Sequence, residues 1–282
     1  MAAKPVVVGV DGSEESMRAA EWAAEEAQRH KAPLLVVSAA AMPPRMRARD
    51  SGPRTVADEL CGEAARALSE GVSRSAEVSS RLVIDASLLI GPPALAVTDS
   101  SAGALMLVVG ARGAGGFAAM LLGSVGRYAA MHACCPVIVV REGQASDVRP
   151  EVVVGIRDPR DTATLAFAFD EAELRGASLV VVHSWNGLPA ALWRPADPAR
   201  LAAEADRNLA EALDPWRGKY PGVTVRQDLV HDHAGRVLAC YSSRADLVVI
   251  GRHANSAGPA VGGIQHAVLS HASGSVAIVP SG

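Results

Sequence analysis

The chain of 282 residues repeats itself at the length of a domain, and this repeat constrains the fold more than any other feature. Four segments of the first half return, in the same order, in the second half. The pairs are VVVGVDGSEES (6–16) and VVVGIRDPRDT (152–162), APLLVVSAA (32–40) and ASLVVVHSW (177–185), ALMLVVGARG (104–113) and ADLVVIGRHA (245–254), and HACCPVIVV (132–140) and HASGSVAIV (271–279). Because the period far exceeds that of a solenoid, the sequence predicts two copies of one domain, over residues 1–143 and 150–282. The polar segment 141–151 is expected to join them.

Each copy alternates short apolar runs with segments of helical pattern. In the first copy we expect strands at 6–10, 34–37, 78–84, 105–109 and 137–140, and helices from Ser13 to about residue 30, over 95–102 and over 125–133. This alternation predicts an α/β fold of two tandem Rossmann-like domains, each a parallel sheet with helices on both faces. Hydrophobic residues make up 49% of the chain and aromatic residues only 4%, which favours small-residue helices packed on Val-rich strands.

Charge and cysteine content exclude several classes of protein. A net charge of −3 gives no general reason to expect binding of nucleic acid. The four cysteines, Cys61, Cys134, Cys135 and Cys240, lack the spacing of a zinc site or a disulfide framework. The first residues do not resemble a signal peptide, and no apolar run reaches the roughly 18 residues of a membrane span. We therefore expect a cytoplasmic protein without a membrane partner.

A glycine-rich segment, GARGAGGFAAMLLGS at 110–124, follows the apolar run ALMLVV. A loop between a buried strand and a helix offers free backbone N–H groups and a helix N-terminus, which together attract phosphate. Gly110, Gly113 and Gly123 would let the backbone approach phosphate oxygens, and the hydroxyl of Ser124 would donate to them. Glycine content alone leaves an equal alternative, in which these residues only form a tight turn.

Two side chains near this loop extend the interpretation. Arg112 would add positive charge beside a phosphate. Asp11 follows the first strand at the same edge of the sheet, where a carboxylate suits ribose hydroxyls or the adenine amino group. Neither the Walker A motif nor the GxGxxG fingerprint is present.

With these residues the sequence resembles the universal stress proteins in their tandem form. Their nucleotide motif G-x2-G-x9-G-(S/T) is matched by Gly110, Gly113 and Gly123-Ser124, and VVVGVDGS, ADLVVIG and H-x-x-C-P-V-I-V-V match its flanks. The resemblance implies five parallel strands in each domain and binding of ATP or a related adenine nucleotide, with Mg²⁺. The nucleotide contacts that it implies are Gly9, Asp11, Gly110, Arg112, Gly113, Gly115, Gly116, Gly123, Ser124 and Val125.

The same resemblance implies a role in stress or dormancy regulation, with no agreed reaction and with a regulatory protein partner that the sequence does not identify. It also implies a homodimer. We expect the two domains to pair about a pseudo-twofold axis through Val137–Val140 and Val276–Val279, because such edge strands present unpaired backbone groups.

The second copy departs from the motif. Arg157 stands where the first copy has Asp11, although Asp158 is adjacent and Arg157 itself could serve a phosphate. The loop has Gly251, two residues, Ala254, seven residues, then Gly262-Gly263. This loop is two residues shorter and lacks the hydroxyl. We expect at most a weak second site, whose residues would be Gly155, Gly251, Gly262 and Gly263.

Three other groups of residues are candidates for function. His231 and His233 of HDH would point to one side of a strand and hold a metal, but a polar strand exit is favoured because no third ligand is evident. Cys134 and Cys135 fit two small buried residues better than a redox sensor. The arginines of AMPPRMRARDSGPR (41–54) fit a solvated loop, with a lid over phosphates as the alternative.

Two classes of function remain open at this stage. One is a binding module in which ATP biases shape or the choice of partner. The other is a slow ATPase or nucleotide-dependent phosphotransferase, which would need a metal site and a group that orients the nucleophile. Binding is favoured, because the sequence contains no evident nucleophile–base pair and no clustered carboxylates.

Overall fold

A computed structural model describes residues 3–41, 56–114, 122–142, 150–158, 161–184, 198–230, 232–252 and 263–280. The chain divides into two compact units, Met1–Glu142 (unit 1) and Gly143–Gly282 (unit 2). None of the helices in the described ranges combines the length and the apolar character that crossing a membrane requires.

Unit 1 alternates strands and helices along the chain. Its elements are β1 (Val6–Gly9), α1 (Glu14–Arg29), β2 (Leu34–Ala40), α2 (Val56–Val78), β3 (Ile84–Ile90), α3 (Pro93–Asp99), β4 (Met106–Gly110), α4 (Ser124–His132) and β5 (Val137–Val140). All the strand pairs are parallel, in the order β3-β2-β1-β4-β5. The predicted α/β class and parallel sheet are therefore confirmed.

Unit 2 has the same succession of elements. They are β6 (Glu151–Ile156), α5 (Thr162–Arg175), β7 (Ser178–Ser184), α6 (Pro198–Lys219), β8 (Val225–Val230), α7 (Ala234–Tyr241), β9 (Leu247–Arg252), α8 (Gly263–His271) and β10 (Val276–Pro280). The strands are again parallel, in the order β10-β9-β6-β7-β8. The duplicated sequence thus produces a duplicated topology.

The predicted strand over 78–84 is wrong. Val78 is the last residue of α2, and the strand begins at Ile84. The reason is burial: β3 lies at an edge of its sheet and none of its seven residues is fully buried. A half-exposed edge strand has a weak apolar pattern, and α2, which carries charge along its length, was not predicted at all.

Small residues bring the helices close to the sheet. Helix α1 is capped by Ser13, whose Oγ accepts the backbone N–H of Ser16 at 3.3 Å, and it buries Met17 together with five alanines. In β1 and β4, which it contacts, the valine, leucine and methionine side chains are 0–3% exposed. Fully buried Val-rich strands under Ala-rich helices match the composition.

The direction of the crossovers determines the two faces and the ligand edge. The chain moves from β1 through β2 to β3 on one side of β1, and then returns to β4 on the other side. Because parallel crossovers are right-handed, this reversal places α1 and α2 on one face and α3 and α4 on the other, and each pair is in contact. The carboxyl ends of β1 and β4 therefore flank the crevice where ligands of such sheets bind.

Candidate functional site

The candidate site of unit 1 begins at Asp11, two residues beyond β1. Its Oδ1 accepts the backbone N–H of Ser13 at 3.1 Å and the Ser13 hydroxyl at 2.6 Å. Its Oδ2 accepts the backbone N–H of Ala114 at 2.9 Å. Gly12 supports this turn with a φ of +84°, which favours glycine. The carboxylate therefore ties the exit of β1 to the loop after β4, across 103 residues of sequence.

Gly113 packs directly against that carboxylate. A Cβ at this position would lie 2.3 Å from Asp11 Oδ2, so any other residue would displace the carboxylate or the loop. Position 113 requires glycine because the Asp11 carboxylate approaches it closely. A left-handed backbone is not the reason, since the φ of Gly113 is not positive. Asp11 and Gly113, which were predicted for one site, therefore lie in contact with each other.

Two further glycines of the predicted set are explained by packing. A Cβ on Gly110 would lie 2.8 Å from the carbonyl carbon and oxygen of Glu15, in the first turn of α1. A Cβ on Gly9 would lie 2.9 Å from Cγ1 of Val97 on α3. Both glycines allow helices to approach the ends of the strands, and this packing accounts for the absence of a side chain at each position.

The glycine-rich loop closes at its base. Gly123 donates its N–H to the carbonyl of Ala111 at 2.8 Å, and it is the N-cap of α4, with an extended backbone and no side-chain cap. Helix α4 then begins at the exposed Ser124, followed by Val125. The first N–H groups of α4 thus start beside the same loop that Asp11 holds. Gly115 and Gly116 lie outside the described residues.

Arginine side chains supply the positive charge at this edge. The guanidinium of Arg112 lies 2.8 Å from Oε1 of Glu15, and its side chain is about half exposed. Arg141, directly after β5, was not predicted. Burial lowers the pKa of its guanidinium, and the nearby charge of Arg112 lowers it further. The neighbouring exits of β4 and β5 were the only sequence signal that could have pointed to Arg141.

Unit 2 builds the equivalent edge differently. Helix α5 begins seven residues after Gly155, whereas α1 begins five residues after Gly9. Asp161, and not a serine, caps α5, and it accepts the backbone N–H of Thr164 at 3.2 Å. Arg157 is exposed at the exit of β6.

The four residues predicted for a second site have separate surroundings. A Cβ on Gly155 would lie 2.4 Å from Cδ1 of Leu238, so this glycine allows close packing of α7. Gly251 is buried within β9, and Gly263 is the exposed first residue of α8. Gly262 lies outside the described residues.

The remaining candidates of the sequence are placed as follows. His233 is exposed as the N-cap of α7, while His231 lies outside the described residues, so the geometry of a two-histidine site is not defined. The arginines of segment 41–54 also lie outside the described residues. All four cysteines are free thiols.

The adjacent cysteines differ sharply in exposure. Cys135 is buried, and burial raises the pKa of its thiol to about 12, whereas Cys134 is exposed. Because the thiolate is the reactive form, we expect N-ethylmaleimide at pH 8 to label Cys134 fully before Cys135 reacts detectably. Peptide mass spectrometry over a time course measures both sites, and equal labelling rates would contradict the buried position of Cys135.

The fold and the geometry at the carboxyl edge of the sheet define a class of protein. This is a duplicated, doubly wound α/β protein in which the exits of β1 and β4 are joined by a carboxylate beside a free helix N-terminus. Both halves of the chain match the universal stress protein family, over residues 2–141 and 150–280. The chain belongs to this family, in its tandem two-domain form.

Individual relatives agree with this assignment. A universal stress protein of Mycobacterium tuberculosis H37Rv is 36% identical over 284 residues, which cover 94% of this chain and 92% of that protein. Another from the same strain is 31% identical over 289 residues, covering 93% and 92%. The crystal structure of a universal stress protein from Archaeoglobus fulgidus covers 100% of this chain and 97% of its own, with a TM-score of 0.72 and 17% identity, which is a likeness of fold.

Proposed function

We propose that unit 1 binds an adenine nucleotide, ATP with Mg²⁺, in the crevice between the exits of β1 and β4. We further propose that the chain acts in the cytoplasm as a regulatory binding module in a stress or dormancy response. The observation that carries the proposal is the hydrogen bond from Ala114 to Asp11. This bond joins the carboxylate that is proposed to bind the nucleoside to the loop that is proposed to bind phosphate, at the carboxyl edge of the sheet.

Asp11 has the capacity to accept a ribose hydroxyl without losing its present bonds. A carboxylate offers about four lone-pair positions, and three are used by Ser13 and Ala114. In this proposal the fourth accepts a hydroxyl of the ribose. The backbone at Ala114, which Asp11 holds, is then already in place when the nucleotide arrives, which reduces the ordering cost of binding.

Phosphate groups are proposed to bind between Gly113 and the start of α4, which lie close together at Gly123. Gly113 carries no side chain, and the exposed start of α4 at Ser124 and Val125 offers N–H groups to anions. Arg112 adds a positive charge. Gly115, Gly116 and Gly123 complete the proposed phosphate contacts, and the backbones of Gly9 and Gly110 border the nucleoside. Mg²⁺ enters with ATP, because this ion is usually held by phosphates, waters and one or two carboxylates.

The proposal is tested by the small molecules that the protein retains. Mass spectrometry of the supernatant after denaturing the purified chain should detect an adenine nucleotide, and calorimetry of the nucleotide-free chain should give saturable binding of ATP with Mg²⁺. Recovery of a different ligand, or no heat on titration with ATP, would reject the proposal. Release of phosphate from labelled ATP, at a rate that scales with protein concentration, would favour the ATPase alternative over a binding module.

A homodimer forms part of the proposed function, since the family resemblance implies pairing of chains. Multi-angle light scattering should then give twice the chain mass of 29.1 kDa at micromolar concentration, with and without ATP. A mass of 29.1 kDa across a hundredfold range of concentration would exclude the dimer and leave nucleotide binding unaffected.

A further inference from the structure

Unit 2 contains a cleft of about 990 Å³ at the carboxyl edge of its sheet. Its walls come from the ends of β6, β7 and β9 and from helices α7 and α8. A volume of this size is at the upper end of the range for sites that bind small organic molecules. The cleft therefore has the position and the size of a ligand site, although its sequence motif has departed from that of unit 1.

More of the surface that lines the cleft is apolar than polar. Five of the side chains that line it are large aliphatic groups, from three strands and two helices. They are Ile156, Val182, Leu238, Ile250 and Ile264. Ile264 is 43% exposed, which costs free energy unless an apolar ligand covers it. The body of the ligand is thus expected to be apolar.

Most polar groups in the cleft are already satisfied by the protein. The amide Nε2 of Gln265 donates to the carbonyl of Gly251 at 2.9 Å, at the strand end where a ligand hydroxyl would otherwise donate. The hydroxyl of Ser184 donates to the backbone carbonyl of Asp232. Arg236 forms an ion pair with the carboxylate of Asp232, and its guanidinium lowers the pKa of that carboxyl group.

Arg157 is the exception. It lines the cleft, is exposed, and forms no ion pair with any residue in the described ranges. No acidic residue is among the described residues that line the cleft. The position that corresponds to Asp11 of unit 1 thus holds a cation, Arg157, at the exit of β6, with Asp158 next to it in the chain and outside the described lining of the cleft.

We propose that this cleft binds an apolar organic monoanion, of the class of an acyl-chain carboxylate. The carboxylate of the ligand pairs with Arg157, and its chain lies on the aliphatic walls. Of the two arginines in the described lining, Arg236 is paired with Asp232 and Arg157 has no ion pair, which matches a ligand of one negative charge. The exposed His233 and His271 also line the cleft and offer further polar contacts to the head group of the ligand. This inference is independent of nucleotide binding by unit 1.

The cleft carries its own reporter for a test. Cys240 on α7 lines it and is exposed, whereas Cys134 is exposed in unit 1 and serves as a reference within the same molecule. We expect decanoate to slow alkylation of Cys240 by N-ethylmaleimide at least tenfold in the intact chain, with Cys134 unchanged. Neutral 1-decanol, which has the same chain length, should protect at least about tenfold less well, because it lacks the charge that Arg157 recognises.

Variants locate the interaction. Arg157→Gln should raise the Kd of decanoate, measured by calorimetry, at least about tenfold. Arg217→Gln is the matched control, since Arg217 lies on α6, pairs with Asp214 at 3.1 Å and does not line the cleft. Its Kd for decanoate should stay within twofold of the parent.

Several outcomes would overturn the proposal. They are equal protection by decanol and decanoate, an unchanged Kd in Arg157→Gln, or slower alkylation of Cys134 and Cys240 alike. Protection of Cys240 by ATP with Mg²⁺, and not by decanoate, would show that the cleft is a nucleotide site instead. Titration of Arg157→Gln with ATP separates the two proposals, because binding in unit 1 should be unaffected by this change.

Discussion

Gly113→Glu is expected to raise the Kd of the intact chain for ATP by at least about 100-fold. A Cβ at this position would lie 2.3 Å from Asp11 Oδ2, so the substitution displaces the carboxylate from Ala114. It also places a negative charge where phosphate is proposed to bind. Losing one charge-assisted hydrogen bond costs about 1.5–3 kcal/mol, and two such losses correspond to about 100-fold or more in affinity. Calorimetry with ATP and Mg²⁺ measures the change.

The control for this variant carries the same charge elsewhere in unit 1. Ala102 is exposed in the turn before β4, at the opposite edge of the sheet from the proposed site. Ala102→Glu should therefore bind ATP within about twofold of the parent. Circular dichroism and thermal unfolding of both variants verify that they fold. Equal ATP affinity of Gly113→Glu and the parent would show that the glycine motif is a turn and not a phosphate site.

Two milder variants separate the steric effect of a side chain at position 113 from the loss of the Asp11 charge. Gly113→Ala adds only the Cβ that meets Asp11, and Asp11→Asn keeps the size of the side chain while removing its charge. If the carboxylate both holds the loop and accepts the ribose, each variant should weaken ATP binding, by about tenfold. A normal affinity in Asp11→Asn would assign nucleoside recognition to other groups.

We expect each chain to bind one ATP tightly, in unit 1, and any second ATP at least about 100-fold more weakly. Unit 2 lacks three features of unit 1: Arg157 replaces the carboxylate, Gly263 replaces the hydroxyl, and the loop is two residues shorter. In addition, the carbonyl of Gly251 is already engaged by Gln265. Losses of this kind each cost about a tenfold factor or more in affinity.

Native mass spectrometry of the intact chain measures this stoichiometry directly. Titration with ATP and Mg²⁺ should saturate at one nucleotide per chain in the micromolar range, and Gly113→Glu should remove that nucleotide. Two nucleotides bound with similar affinity, one of which survives in Gly113→Glu, would mean that unit 2 rebuilds a nucleotide site with Arg157 and the start of α8. The same result would count against an acyl carboxylate as the ligand of the unit 2 cleft.

Much of the fold could be predicted because its signals lie in short, continuous segments of the sequence. The duplication, the α/β class and the placement of β1, β2, β4 and β5 follow from fully buried apolar runs and from caps such as Ser13. The strand β3 was missed because a half-exposed edge strand has little hydrophobic contrast. The 23-residue helix α2 was also missed, although its apolar and polar residues lie on different faces. Burial produces the apolar pattern of a strand, so an exposed edge strand such as β3 has a weaker pattern.

For the proposed site, the sequence by itself predicted the set of residues: a carboxylate after the first strand, and glycines with a hydroxyl at fixed spacing after the fourth. Only the tertiary structure decided what these residues do to each other. Asp11 meets Ala114 across 103 residues, and Gly110 exists as glycine because the backbone of Glu15 leaves no room for a Cβ. Arg141 lies near Arg112, and Arg157 lines a cleft in which Gln265, Ser184 and Arg236 already have protein partners. Such relations depend on the crossover that returns β4 to the side of β1, and distances created by a crossover leave no periodicity along the chain.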